Sequence, residues 1–104
     1  MTNKYRFDAV ATGTKADAGK PRWSLLPTGT IAQVVAVLEA GAAKYAPDNW
    51  KHVKSPETRY YDAMMRHVDA WRRGDRNDPE TGLPHLAHAA CCILFLLWFD
   101  GEKR

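Results

Sequence analysis

The sequence predicts an all-α fold, a small helical bundle of three main helices (about 31–45, 56–73 and 84–100) completed by oligomerisation. Three observations lead there. Apolar residues recur at helical spacing from Ile31 onward, and no strand-like alternation of useful length interrupts them. Clusters of turn-forming residues separate the periodic segments. The third segment carries 13 apolar residues among 17, more than one chain of 104 residues is expected to cover on every side.

Each element has its own signals. Residues 1–18 lack sustained periodicity and are expected to form a mobile N-terminal arm, ahead of a single all-α domain over 19–104. Within that domain GKPRWSLLP, residues 19–27, brackets a basic pair and a Trp-Ser-Leu-Leu knot with prolines, and is expected to pack as an ordered extended segment. Ile31, Val34, Val35, Leu38, Ala42 and Tyr45 mark the apolar stripe of the first helix, with Thr30 and Gln33 as a capping box. Pro47 forbids its continuation. Ser55 and Pro56 supply cap and first-turn chemistry for the second helix, which places Tyr60, Tyr61, Met64, Val68 and Trp71 on one face. Residues 74–82 are dense in Gly, Asp, Asn and Pro and form a turn. Pro84 suits the first turn of the third helix, and Asp100-Gly101 is the expected stop.

Composition narrows the function. Fifteen Lys and Arg against 12 Asp and Glu give a net charge of +3, but the signs are interleaved, so nucleic acid is not the expected partner and small phosphorylated molecules remain open. The longest apolar run, Ala89 to Phe99, falls short of the ~20 residues of a membrane-spanning helix, and the polar opening of the chain does not resemble a secretory leader. Cys91 and Cys92 are adjacent within that run and are expected to be reduced and structural. Glycine-rich phosphate loops, dinucleotide fingerprints and GxSxG are absent.

Candidate chemistry gathers at one end of the bundle. Glu39 lies at the edge of the first helix's apolar stripe, with no other acid between Asp17 and Asp48. His67 flanks the apolar stripe of the second helix, either as an interhelical histidine or as part of a site. His85 and His88, at i and i+3, leave one face of the third helix; Cys92 is about 10 Å along the axis from His85, too far for an easy shared zinc site. With antiparallel helices at 1.5 Å per residue, Glu39, His67 and His88 fall roughly 12, 9 and 6 Å from the same end. The loop acids Asp75, Asp78 and Glu80 close it. Arg59, Asp62, Arg66, Asp69 and Arg73 read as a salt-bridged outer face of the second helix. If its arginines instead met nucleic acid, the aspartates beside them would oppose binding. Lys44 faces away from the core stripe and is not assigned to the site.

Together GKPRWSLLP (19–27), KYAPDNW (44–50), RHVDAW (66–71) and DPETGLPHLAHAACCILFLL (78–97) resemble a small, mostly phage-encoded family described as dATP/dGTP diphosphohydrolase-like, which is similar to the MazG-type all-α nucleotide pyrophosphohydrolases. The resemblance covers about residues 19–99. It implies a homo-oligomer, dimer or tetramer, in the cytoplasm (the host's, if phage-encoded), with a divalent cation and cleavage of a (deoxy)nucleoside triphosphate to monophosphate and pyrophosphate. MazG-type enzymes hold Mg²⁺ with ExxE and ExxD pairs, which this chain lacks; Glu39 stands alone, and His85-Leu-Ala-His88 occupies a comparable pairing. Mg²⁺ or the more imidazole-tolerant Mn²⁺ is therefore the expected ion.

On this reading Glu39 and His67 are the catalytic candidates. Glu39, Asp78, His85 and His88 are the metal candidates, and Lys20, Arg22, Asn49, Trp50 and Arg66 the nucleotide contacts. Lys20 and Arg22 would meet phosphate, Trp50 would stack the base and Asn49 bond its edge. The alternative expectation is a non-catalytic, nucleotide-sequestering protein using the same pocket. Packing against the bundle is the competing reading for Trp23 and Trp50.

Overall fold

The computed structural model describes residues 13–102. Three α-helices organise them: α1, Thr30–Lys44; α2, Pro56–Arg72; and α3, His85–Glu102. Short 3-10 turns at Trp23–Leu25 and Asn49–His52 precede α1 and α2. Among the described residues there is no strand, only an isolated antiparallel bridge between Asn77 and Pro84. No helix among them is long and apolar enough to cross a membrane. The expected N-terminal arm lies outside the described residues up to residue 12; residues 13–17 are exposed and non-helical.

Proline sets the helix starts. Pro56 occupies the first turn of α2, and the Pro84 carbonyl accepts from the N–H groups of Ala87 and His88 at 3.0 and 3.2 Å to open α3. The caps differ from expectation. Gly29, left-handed at φ 83°, caps α1, while the Thr30 hydroxyl donates back to the Pro27 carbonyl at 2.8 Å, so no capping box forms. Ser55 does precede α2, but its left-handed backbone (φ 51°) is not the extended conformation from which a cap side chain reaches the helix, and it makes no such bond. At the far end α3 runs through Gly101 to Glu102, because a glycine stops a helix only where it turns left-handed.

α3 is the hub. Both α1 and α2 pack on it, and the core consists of Val34 and Val37 from α1 with Ala87 and Cys91 from α3, supported by Leu38, Leu83, Ala90 and Phe95. The buried Cys91 thiol donates to the Val34 carbonyl at 3.3 Å, joining the two helices. Burial pushes both cysteine thiols up to about 11, so they are protonated, inert core groups, and both are free. Because α1 has a neighbour on one side only, its buried face is narrower than the sequence stripe: Val37 joins it while Ile31, Val35 and Tyr45 stay exposed. α2 is likewise rotated, with Tyr61 and Trp71 outward and His67 half-buried.

One further expectation is corrected. The 19–27 segment does not pack on the chain: Trp23 is 76 % exposed and Leu25 70 %. As its apolar composition leads one to expect, α3 is not enclosed within one chain. His85, Ala87, Ala89, Cys91 and Cys92 are buried, whereas Leu86, Ile93, Leu94 and Leu97 remain open on its outer side.

Candidate functional site

With α3 as floor, α1 and α2 form the walls of a groove of about 1310 Å³. One end is rich in histidine, the other in aromatic rings. The histidine end begins where α2 stops. Gly74, at φ 97°, takes the left-handed turn that an L side chain resists. Its N–H donates to the Trp71 carbonyl (2.9 Å) and that of Asp75 to Ala70 (2.9 Å), the paired bonds of a Schellman closure. The loop then doubles back on α3: the Asp78 N–H donates to Leu83 (2.8 Å) and that of His85 to Arg76 (2.9 Å). Asp78 caps its own turn, with its Oδ2 accepting from the N–H groups of Glu80 and Thr81, both at 3.1 Å.

This architecture brings three donors together. One oxygen or ring nitrogen from each of His67, Asp78 and His85 lies within 4.8 Å of the others. His67 Nδ1 and His85 Nδ1 are 2.8 Å apart, one donating to the other. That is close to the ~3 Å separating adjacent ligands held at about 2.1 Å on an octahedral ion. The buried His85 turns its Nε2 to Asp75 at 3.3 Å. His88 stacks on His67 with centroids 4.6 Å apart, meets the Thr81 hydroxyl through Nε2 at 2.7 Å, and keeps that nitrogen 4.0 Å from Asp78.

The electrostatics suit a cation. Burial first, then the neighbouring His88 and His85, hold His67 below the ordinary imidazole value. His88 is lowered chiefly by burial, against the pull of Asp78. Burial alone would raise the Asp78 carboxyl, but the Thr81 N–H, His88 and the Glu80 N–H outweigh it, and the carboxyl ends below its usual value. Neutral imidazoles beside an ionised carboxylate are the protonation states that metal ligation requires. The donor set therefore fits a divalent ion that accepts mixed nitrogen and oxygen ligands.

At the aromatic end Trp50 stacks on Phe95 (4.5 Å between centroids, planes 16° apart) and meets Trp98 and Phe99 edge-on at 5.1 and 6.0 Å. The Tyr60 hydroxyl donates to the Trp50 carbonyl at 3.1 Å. Asn49 lines the groove beside it.

The sequence-derived candidates divide accordingly. His67, Asp78 and His85 converge in the three-donor group, with His88 alongside. Glu39 is exposed on the α1 wall of the same groove and stands apart from that group, as does Cys92. Arg66 lines the groove, joined by Arg59 and Asp62, so only part of the charged face of α2 is an outer, salt-bridged one; there Arg73 pairs with Asp69 at 3.1 Å. Lys20 and Arg22 are exposed on the segment before α1, outside the groove lining. Lys44 does line the groove, because its ammonium reaches Glu80 and ties α1 to the loop. Sequence reasoning also missed Thr81. The Asp78-Pro-Glu-Thr spacing, an aspartate two and three residues ahead of the N–H groups it accepts from, is the signal that points to it.

The family described as dATP/dGTP diphosphohydrolase, N-terminal, matches residues 10–104. A dATP/dGTP diphosphohydrolase from Salmonella phage PMBT28 is 40% identical over 92 residues, covering 88% of this chain and 31% of that protein. The chain thus spans about a third of the curated relative's length. No solved structure matches it. With the match extending across all three helices and the intervening loop, the chain belongs to the dATP/dGTP diphosphohydrolase, N-terminal, family.

Proposed function

We propose that the groove binds a purine deoxynucleoside triphosphate and, with a divalent cation, hydrolyses it to the monophosphate and pyrophosphate in the MazG manner. The observation that carries this reading is the His67–Asp78–His85 group, which reaches one end of the groove through His67 and Asp78 with His85 buried behind them, in a groove whose walls present Arg59, Arg66 and Lys44. The name of the phage relative supports the substrate class.

His67, Asp78 and His85 would hold Mn²⁺ or Mg²⁺. When bound, such an ion neutralises phosphate oxygens and acidifies water. Arg59 and Arg66 face the groove with guanidinium groups suited to bidentate phosphate contact. From the α1 wall Glu39 offers a carboxylate to take the proton released when water attacks the α-phosphorus and the bond to the bridging oxygen of pyrophosphate breaks. His67 to Tyr60 on α2, and His88 to Phe95 on α3, are each seven residues, about 10 Å. An extended nucleotide is of that length, with its phosphates at the histidine end and its base against Asn49 and the Trp50–Phe95 stack. Lys20 and Arg22, remote from the lining, act on the phosphates only if their segment folds over the groove.

The outer face of α3 supports a homo-oligomer, because Leu86, Ile93 and Leu97 repeat along one side at spacings of seven and four with no charge between them. The double variant Ile93→Asp/Leu97→Asp is expected to sediment as a monomer where the parent is at least a dimer.

The reading is tested by incubating the protein with dATP, dGTP, ATP or GTP and Mn²⁺ or Mg²⁺ and measuring pyrophosphate and monophosphate. Equimolar release, abolished by chelator, is expected. Stoichiometric binding without either product would replace it with the nucleotide-sequestering alternative.

A further inference from the structure

We propose that Asp75 is the positioning residue for His85, holding the imidazole proton on Nε2 so that Nδ1 faces the donor group as a lone pair. Its consequence for metal affinity rests on the metal reading above; its effect on the ring does not. Asp75 and His85 are each fixed through the backbone. The Asp75 N–H is bound to the Ala70 carbonyl in the closure of α2, and the His85 N–H to the carbonyl of Arg76, the residue after Asp75. The two side chains are thereby set opposite each other, Asp75 Oδ2 lying 3.3 Å from His85 Nε2.

Chemistry then fixes the tautomer. An ionised carboxylate only accepts hydrogen bonds, so the nitrogen facing Asp75 carries the proton. In its neutral form the ring has one N–H, which then leaves His85 Nδ1 as an acceptor with His67 donating across the 2.8 Å contact. The ring is buried to 5 % exposure, while the Asp75 side chain is 61 % exposed. A carboxylate that contributes little to packing thus orients a ring that contributes much. Carboxylates bonded to the far nitrogen of a ligating histidine serve this purpose in metal sites generally, and their loss lowers affinity about 10- to 100-fold.

The experiment uses the full chain, freed of metal by chelation and labelled with ¹⁵N-histidine. Long-range ¹H–¹⁵N correlation reads the His85 tautomer, and calorimetric titration with MnCl₂ alone, without nucleotide, reads affinity. The parent is expected to hold His85 as the Nε2–H form. Asp75→Ala is expected to show a mixture of tautomers and about 10- to 100-fold weaker Mn²⁺ binding, with the metal-free melting temperature unchanged because the backbone bond to Ala70 persists. Asp75→Asn, which keeps an acceptor oxygen but no charge, should retain the tautomer and fall between, and it serves as the informative variant if Asp75→Ala does not fold. An Nε2–H tautomer and parental Mn²⁺ affinity in Asp75→Ala would overturn the proposal. A tautomer that responds to Asp75 in a protein that binds no Mn²⁺ would instead uphold the positioning role and sink the metal reading.

Discussion

The two ends of the groove hold their residues in place by opposite means. At the histidine end each side chain has a hydrogen-bond partner: His85 has Asp75 and His67, His88 has Thr81, and Asp78 has the N–H groups of its own turn. At the aromatic end Trp50, Phe95, Trp98, Phe99 and Tyr60 rest on one another's faces and edges, and a single hydrogen bond, from Tyr60 to the Trp50 carbonyl, joins the ring cluster to the backbone of the 3-10 turn. Hydrogen bonds dictate direction and tolerate no isostere that lacks the right donor. Ring contacts depend on area and tolerate another ring. One end fixes the direction of its polar groups, the other offers packed ring surface.

Substitution should expose that contrast most strongly at His85. His85→Ala removes a donor and frees His67 and Asp75 of their shared partner, so Mn²⁺ binding and pyrophosphate release are expected to vanish while the helices persist, as circular dichroism and calorimetric titration would show. Retained Mn²⁺ affinity would mean that the three-donor group is not the metal site. At the other end Trp50→Ala should cost about 2–4 kcal/mol in denaturant unfolding, somewhat less than a fully enclosed tryptophan. Trp50→Phe should recover most of that. No equivalent rescue is expected for any histidine.

Acid and base should separate the two ends as well. His67 and His88 are held below the ordinary imidazole value of 6.5 by burial before any other cause. Below that pH the unfolded chain binds more protons than the folded one, so the stability of metal-free protein should be full above about pH 6.5 and decline as the pH falls through the lower folded values. Burial raises Tyr60 above its usual 10.0 and the two core thiols from 9.0 to about 11, which has the opposite sign: these groups ionise first in the unfolded chain, and stability is lost as the pH rises past about 9. Melting temperatures across pH 5–11 would show both limbs, and His67→Gln should flatten only the acid one. The smallest effect is expected between the two ends. Replacing Cys91 and Cys92 together with Ala should cost on the order of 1–2 kcal/mol of core contact and leave Mn²⁺ binding as it was, since neither thiol belongs to the donor group.

Helix limits were legible because they rest on local chemistry: Pro47, Pro56 and Pro84 cannot sit inside a helix ladder, and Gly74 turns the chain after α2. The convergence of His67 with His85, His88 and Asp78 was legible from rise per residue. Which face each helix turns inward was not. Tyr61 and Trp71 look like core on a helical wheel, yet α2 packs mainly on α3, and its half-buried side runs through Tyr60, Met64 and His67 instead. Lys44 was misjudged for the same reason: it sits off the core stripe of α1, but the loop that carries Glu80 comes to meet it. The exposure of Trp23 and Leu25 was not legible either, because a knot of apolar residues shows that a segment can pack and not that a surface is there to receive it.

The doubling-back of the loop after α2 also orders events in time. His67, Asp75, Asp78, Thr81, His85 and His88 all fall within one uninterrupted stretch of sequence, closed by backbone bonds between near neighbours, whereas α1 is joined to α3 by contacts such as Cys91 to Val34, 57 residues apart. Short closures cost less chain entropy than long ones. The α2–α3 hairpin is therefore expected to form before α1 docks, which pulse-labelled amide exchange would show as protection of residues 67–88 ahead of residues 30–44.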